Sequence, residues 1–131
     1  MPWSTSGMRT PIELAHGWRE ALVDRDAEAY AGLFADDAEF VDVEHRTPDG
    51  SAPRVVRGPA AIRAVCDQWL ATTPAFDYVV LDVVGDQRRA AKRWRYAVGS
   101  ADVEGVTWLD CRDGEIVRAL VLFDIAELRQ E

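Results

Sequence analysis

The chain predicts an α+β fold, three N-terminal helices covered by one curved, mainly antiparallel sheet, from three observations. Helical spacing marks three segments before Pro74, strict alternation marks the segments after Phe76, and the turns between those alternating segments are short. Short turns join antiparallel neighbours. The apolar stripes of the helices have nowhere else to be buried, so they pack on one face of the sheet, and the sheet must curl to enclose them.

The first helix is announced by Thr10-Pro11-Ile12-Glu13, an N-cap, a proline at the first helical position and a Glu three residues after the cap. Its apolar positions Ile12, Ala15, Trp18 or Arg19, Leu22 and Val23 recur at three and four, giving one stripe that runs to about Asp24. Asp26 caps a second, short helix whose inner face is Ala27, Tyr30, Ala31 and Phe34. Helix and strand meet at Ala35 to Ala38, and the first strand runs from Ala38 to Glu44. His45 to Pro53, with two prolines and an Asp-Gly pair, reads as a loop. Arg54 to Arg57 has the pattern of a short strand returning beside the first. Gly58-Pro59 starts a third helix with Ile62, Val65, Cys66, Trp69 and Leu70 at helical spacing, and Thr73-Pro74 ends it. Four strands follow: Phe76 to Val84, Arg88 to Val98, Val103 to Cys111 and, after the turn Arg112-Asp113-Gly114, Glu115 to Ile125.

With 131 residues and 48% hydrophobic composition, the chain is expected to form one domain over residues 11–131, large enough for an internal cavity, after a loose leader at 1–10. A formal net charge of −8 disfavours nucleic acid and anionic membranes as partners. Cys66 and Cys111 lack CxxC spacing and nearby histidines, which suits small core residues better than ligands or a disulfide. No residue pattern calls for a metal or a cofactor. Without a secretory pattern or a window near the ~18 apolar residues of a membrane span, the cytoplasm is the default location.

The most informative stretch is Gly32 to Glu44, where a helix ends in a double aspartate and a strand carries Asp42 among Phe40, Val41 and Val43. Period-two alternation places Phe40, Asp42 and Glu44 on one face. Asp42 is then either an ordinary exposed strand residue or a carboxylate in a half-apolar pocket, where desolvation suits a base.

Several segments together resemble the nuclear transport factor 2-like superfamily, specifically its SnoaL-like polyketide cyclase and ketosteroid isomerase branch. They are ALVDRD (Ala21 to Asp26), YAGLFADDAEFVDV (Tyr30 to Val43), RGPAAI (Arg57 to Ile62), RWRYAVG (Arg93 to Gly99) and DGEIVRALVLFD (Asp113 to Asp124). The resemblance implies a cystatin-like cone with a pocket between the concave face and the helices. It implies a catalytic base at Asp42, a second acid or base at Asp124, and an oxyanion acid near Glu104. Trp18 stands where ketosteroid isomerases hold a Tyr; an indole donates only one N–H and gives up no proton as a phenol can, which argues against a ketosteroid isomerase proper. Epoxide hydrolases of this superfamily work with an Asp at the Asp124 position plus an Arg and an Asp two residues apart, which here read Arg93 and Arg95. Their triad is therefore altered. A homodimer through the outer sheet face is also implied.

The same residues carry plainer readings. Either Arg93 and Arg95 face inward, pairing with Asp42, Asp124 or Glu104, or Trp94 and Tyr96 do; the resemblance favours the arginines. Asp124 closes an apolar row of Ile116, Leu120 and Leu122, as a site residue or as an exposed strand end. His45 is a rim group or a solvated loop residue, and His16 a surface or packed one. Trp18, Tyr30, Trp69 and Trp108 either line a pocket for a flat hydrophobic ligand or form core; five tryptophans in so short a chain favour the pocket.

The reading that results is an enzyme without cofactor or metal, acting on a hydrophobic carbonyl compound of secondary metabolism by carboxylate proton transfer, as a cyclase, isomerase or dehydratase. Asp42 and Asp124 would move protons, while Trp18, Tyr30, Phe40, His45, Trp69, Arg93, Arg95, Glu104, Trp108 and Leu122 would hold the substrate. A ligand-binding or subunit-assembly protein of the same fold is the rival, and an epoxide hydrolase with an altered triad the weaker one.

Overall fold

Local signals at the N-terminus act as read. In the computed structural model, which describes residues 8–46 and 53–123 and the side chains of all of these but 43–46, Thr10 closes a capping box. The Glu13 N–H donates to Thr10 Oγ1 at 3.1 Å, and the Thr10 N–H donates to Glu13 Oε1 at 2.7 Å. Helix α1 (Pro11–Val23) follows, and its buried stripe of Leu14, Ala15, Trp18, Ala21 and Leu22 puts Trp18, not Arg19, inside. Val23 is exposed. Asp26 accepts the Ala29 N–H at 3.0 Å and caps α2 (Ala27–Ala31). Gly58, at a φ of 84°, turns the chain into α3 (Pro59–Thr72); the left-handed region suits glycine there.

The strands are β1 (Phe34–Arg46), β2 (Pro53–Arg57), β3 (Asp77–Gly85), β4 (Arg89–Val98), β5 (Ala101–Arg112) and β6 (Glu115–Phe123). They form one sheet in the order β2-β1-β6-β5-β4-β3. Every pair is antiparallel except β1 and β6, which run parallel. The sheet is curved and unclosed, and α1 packs across β3 to β6 while α3 lies against β1 and β2. Asp113 and Gly114, with φ of 54° and 78°, make the left-handed two-residue turn between β5 and β6 that the Asp-Gly pair announces.

Three expectations need correction. First, β1 begins at Phe34, four residues before Ala38, because the Ile116 N–H donates to the Leu33 carbonyl at 2.8 Å and draws Phe34 into register with Ile116. The ADDA segment is an irregularity in that pairing, and its exposed Asp37 meets Arg112 at 3.0 Å. Second, β4 turns Lys92, Trp94 and Tyr96 inward and leaves Arg93 and Arg95 exposed. Trp94 stacks on Tyr78 at 5.7 Å, and its N–H donates to Thr107 Oγ1 at 2.9 Å. Burying two rings gains apolar area, whereas two buried guanidiniums would have to stay charged. Third, Ile116 does not share a face with Leu120 and Leu122. The pair Cys111↔Ile116 is followed by Asp110↔Arg118, so β6 spends two residues against one on β5. That bulge switches the phase of β6. Ala119, Val121 and Phe123 face inward, and Leu122 is 39% exposed on the outer face.

Candidate functional site

The inner face of the sheet and helices α1 and α3 enclose a cavity of about 320 Å³. Its wall is rich in aromatic rings. Trp18 from α1 stacks on Phe40 of β1 at 5.9 Å between ring centres and meets Tyr30 of α2 edge-on at 5.0 Å. On the other side Trp69 of α3 meets Tyr96 at 6.1 Å, and Trp94 stacks on Tyr78. Trp18, Tyr30, Phe40, Asp42 and Trp69 are thus brought to one cavity, each by the face its helix or strand spacing assigns.

Asp42 is the one carboxylate among the described residues that line this cavity, and it is 5% exposed. Its cross-strand neighbour is Arg54 of β2, whose Nη2 lies 3.5 Å from Asp42 Oδ2. Arg54 also lines the cavity. The Arg54 guanidinium holds the carboxylate from the β2 side.

The nearby phenols and thiol stay protonated. Burial first, then electrostatic coupling to Cys66, Tyr78 and Asp42, raises Tyr30 well above the ordinary tyrosine range. Burial and then Asp42 raise Tyr96. Their hydroxyls are therefore hydrogen-bond donors for a ligand oxygen rather than bases. Burial first, then Asp67 and Asp26, pushes the Cys66 thiol up to about 11, so this cavity residue is no thiolate at neutral pH.

Lys92 is the least expected group. It has no exposed surface, its Nζ stands 4.3 Å from the Trp18 ring centre and 5.1 Å from that of Tyr78, and burial drives its amine well below the ordinary lysine range. A desolvated cation over a ring gains about 2 kcal/mol. Burying the charge costs several kcal/mol. Burial outweighs the ring contacts and favours the neutral form of the amine.

The remaining expected site residues are placed elsewhere. Arg93, Arg95, Glu104, Trp108 and Leu122 lie on the outer face of the sheet, because each alternates with an inward neighbour. Arg95 meets Asp102 at 3.6 Å there, and the Trp108 N–H donates to Asp110. Asp124, the side chain of His45 and Trp3 fall outside the described residues. His16 is exposed on α1. Cys66 and Cys111 are free thiols. Among the described residues, no three His, Cys, Asp or Glu side chains converge to hold a metal ion, and no helix is long and apolar enough to cross a membrane.

Sequence reasoning missed Arg54, Tyr78, Thr107 and Lys92, and it placed Trp94 and Tyr96 inward only as the alternative to the arginines. The signal for Arg54 was present: once Arg54 to Arg57 is paired back onto the first strand, Arg54 falls opposite Asp42. The signal for Lys92 was its place two residues before Trp94 on one strand face.

The structure is similar to that of TerC co-crystallized with polyporic acid, with a TM-score of 0.77 and 19% identity over 92% of this chain and 95% of that one. It is similar to a protein with a ketosteroid isomerase-like fold from Catenulispora acidiphila in complex with trimethylamine, with a TM-score of 0.74 and 18% identity over 90% and 89% of the two chains. An NTF2-like protein of unknown function from Cytophaga hutchinsonii gives 0.71 and 16% identity over 96% and 99%. At these identities the likeness is one of fold. In sequence, the chain is 32% identical over 102 residues to a component of an ATP-dependent helicase/deoxyribonuclease from Pelotomaculum thermopropionicum; that match covers 75% of this chain and spans only 9% of the length of that protein. The SnoaL-like domain profile matches residues 15–119. Fold and profile agree: the chain has the fold of an NTF2-like protein and belongs to the SnoaL-like domain family.

Proposed function

We propose that this protein is a small-molecule enzyme that binds a hydrophobic carbonyl compound in the aromatic cavity and moves a proton beside its carbonyl, through Asp42, in a cyclisation, isomerisation or dehydration. The observation that carries the reading is one buried carboxylate in a largely apolar wall rich in aromatic rings, paired with Arg54. Removing a proton next to a carbonyl leaves negative charge on the oxygen, and the hydroxyls of Tyr30 and Tyr96 or the Arg54 guanidinium would hold it. This replaces Arg93 and Arg95 in that role. The epoxide hydrolase reading loses support, since Arg93 lies on the outer face. Asp124 stays a candidate second acid or base. TerC, co-crystallized with polyporic acid, is a neighbour in fold studied with an organic small molecule, which supports a small-molecule ligand here. The enzyme would work in the cytoplasm as a homodimer.

A set of aromatic ketones, screened by NMR for Asp42-dependent exchange of α-protons with deuterated water, tests the proposal. Asp42→Asn keeps shape and removes proton transfer, so exchange should fall by about a hundredfold to ten-thousandfold while ketone affinity changes little. Exchange at the wild-type rate in Asp42→Asn would make the carboxylate structural.

One observation favours a second reading, a binding or subunit-assembly module: the outer face exposes Val79, Leu81, Val106, Trp108 and Leu122. Tight binding of ketones without any exchange would select it.

A further inference from the structure

The chain has a single lysine among its 15 basic side chains, and that lysine, Lys92, is fully buried. Its cross-strand neighbour Thr107, its same-face neighbour Trp94 and both rings that touch its Nζ, Trp18 and Tyr78, line the cavity. Lys92 therefore sits directly behind the cavity wall where α1 covers the sheet. Its Nζ has no hydrogen-bond partner among the described residues. A methionine would pack the same stem without a buried polar group, and an arginine could not shed its charge. What only a lysine brings to this position is a primary amine, a nucleophile in its neutral form.

The surroundings favour its neutral form. From α1 it meets Trp18; from β3 it meets Tyr78, which burial holds protonated; from β5 it faces Thr107. The cation nearest these groups in the bonding pattern, Arg19, donates to the Tyr78 carbonyl at 3.2 Å. Burial is the cause of the lowered basicity, with no charged neighbour contributing. An ordinary exposed lysine is neutral in only about one part in a thousand at pH 7.4.

We propose that Lys92 is a carbonyl-capture residue whose ε-amine forms an imine with an aldehyde or ketone bound in the aromatic cavity, reached when the Trp18 indole moves off the amine. The nitrogen lone pair attacks the carbonyl carbon, the C=O pair moves to oxygen, and a proton passes from nitrogen to that oxygen to give the carbinolamine. Loss of water then forms C=N. The step is reversible, releases one water and involves no oxidation or reduction, and the apolar wall favours the dehydration. The proposal shares only its ligand class, a hydrophobic carbonyl compound, with the function proposed above.

The test uses 2-naphthaldehyde with sodium cyanoborohydride at pH 7.4, intact-mass analysis and peptide mapping. The sole lysine simplifies the result, because the N-terminal amine is the one other amine in the sequence and serves as the reference. The expected result is an adduct on the Lys92 peptide that forms about tenfold faster than the N-terminal one, through proximity in the bound complex. It should disappear in Lys92→Met and form faster in Trp18→Ala. Labelling confined to the N-terminal amine, or reaching Lys92 only in denaturant, overturns the proposal. Should Lys92→Met not fold, the map of the wild-type protein decides alone. An adduct on Lys92 with proton exchange unchanged in Asp42→Asn would sink the Asp42 mechanism and leave this one standing; the reverse pattern would do the opposite.

Discussion

Lys92 and Asp42 face the same apolar interior with different outcomes. Asp42 is matched with Arg54 across the hairpin, whereas Lys92 has two aromatic faces and no matching charge. The amine is therefore a cost to folding wherever the unfolded chain would protonate it. Its folded pKa lies below its unfolded value, so between the two the unfolded state binds the extra proton, and stability rises with pH up to the ordinary lysine value near 10.4. Lys92→Met abolishes this slope. Urea unfolding of both proteins between pH 7 and 10 should show Lys92→Met the more stable at pH 7, with the gap narrowing by about 1.4 kcal/mol per pH unit inside the window. A gap independent of pH would mean that Lys92 is charged in the folded protein.

At the scale of elements, β4 and β5 are fitted to each other at one pair. Gly105 stands opposite Trp94, and a Cβ on it would lie 2.4 Å from the indole Cζ2 and 2.6 Å from the Leu122 carbonyl oxygen. The absent side chain lets the Trp94 ring lie over the neighbouring strand. Gly105→Ala should destabilise the protein by about 1–3 kcal/mol, since the obstacle on one side is backbone. Thermal unfolding measures this, and a neutral result would mean that β5 shifts freely. The strands themselves were legible from alternation, but their phase was not. On β4 both parities carry large amphipathic side chains, Arg93 and Arg95 against Lys92, Trp94 and Tyr96, and on β6 a bulge between Ile116 and Arg118 breaks the parity.

At the scale of the whole molecule, the outer face combines exposed Val106, Trp108 and Leu122 with charges of both signs, Arg93 and Arg95 beside Glu104 and Asp102. A two-fold dimer through this face would set the same patch of both copies together. A second copy of the chain is the proposed occupant. Sedimentation velocity should give a dimer for the wild type and a monomer for Val106→Glu, whose carboxylate would be buried against apolar neighbours. A monomeric wild type ends the homodimer proposal.

By itself the sequence determined the order and type of the elements and the caps at Thr10 and Asp26. It also determined the Asp-Gly turn and the pairing of Phe40 with Asp42 on one face, because each depends on residues within a few positions of one another. Tertiary structure decided the parallel pairing of β1 with β6, the start of β1 at Phe34, the outward turn of Arg93 and Arg95, and the burial of Lys92. Those depend on register between strands far apart in the chain, where a shift of one residue exchanges inside for outside and no local pattern records which was taken.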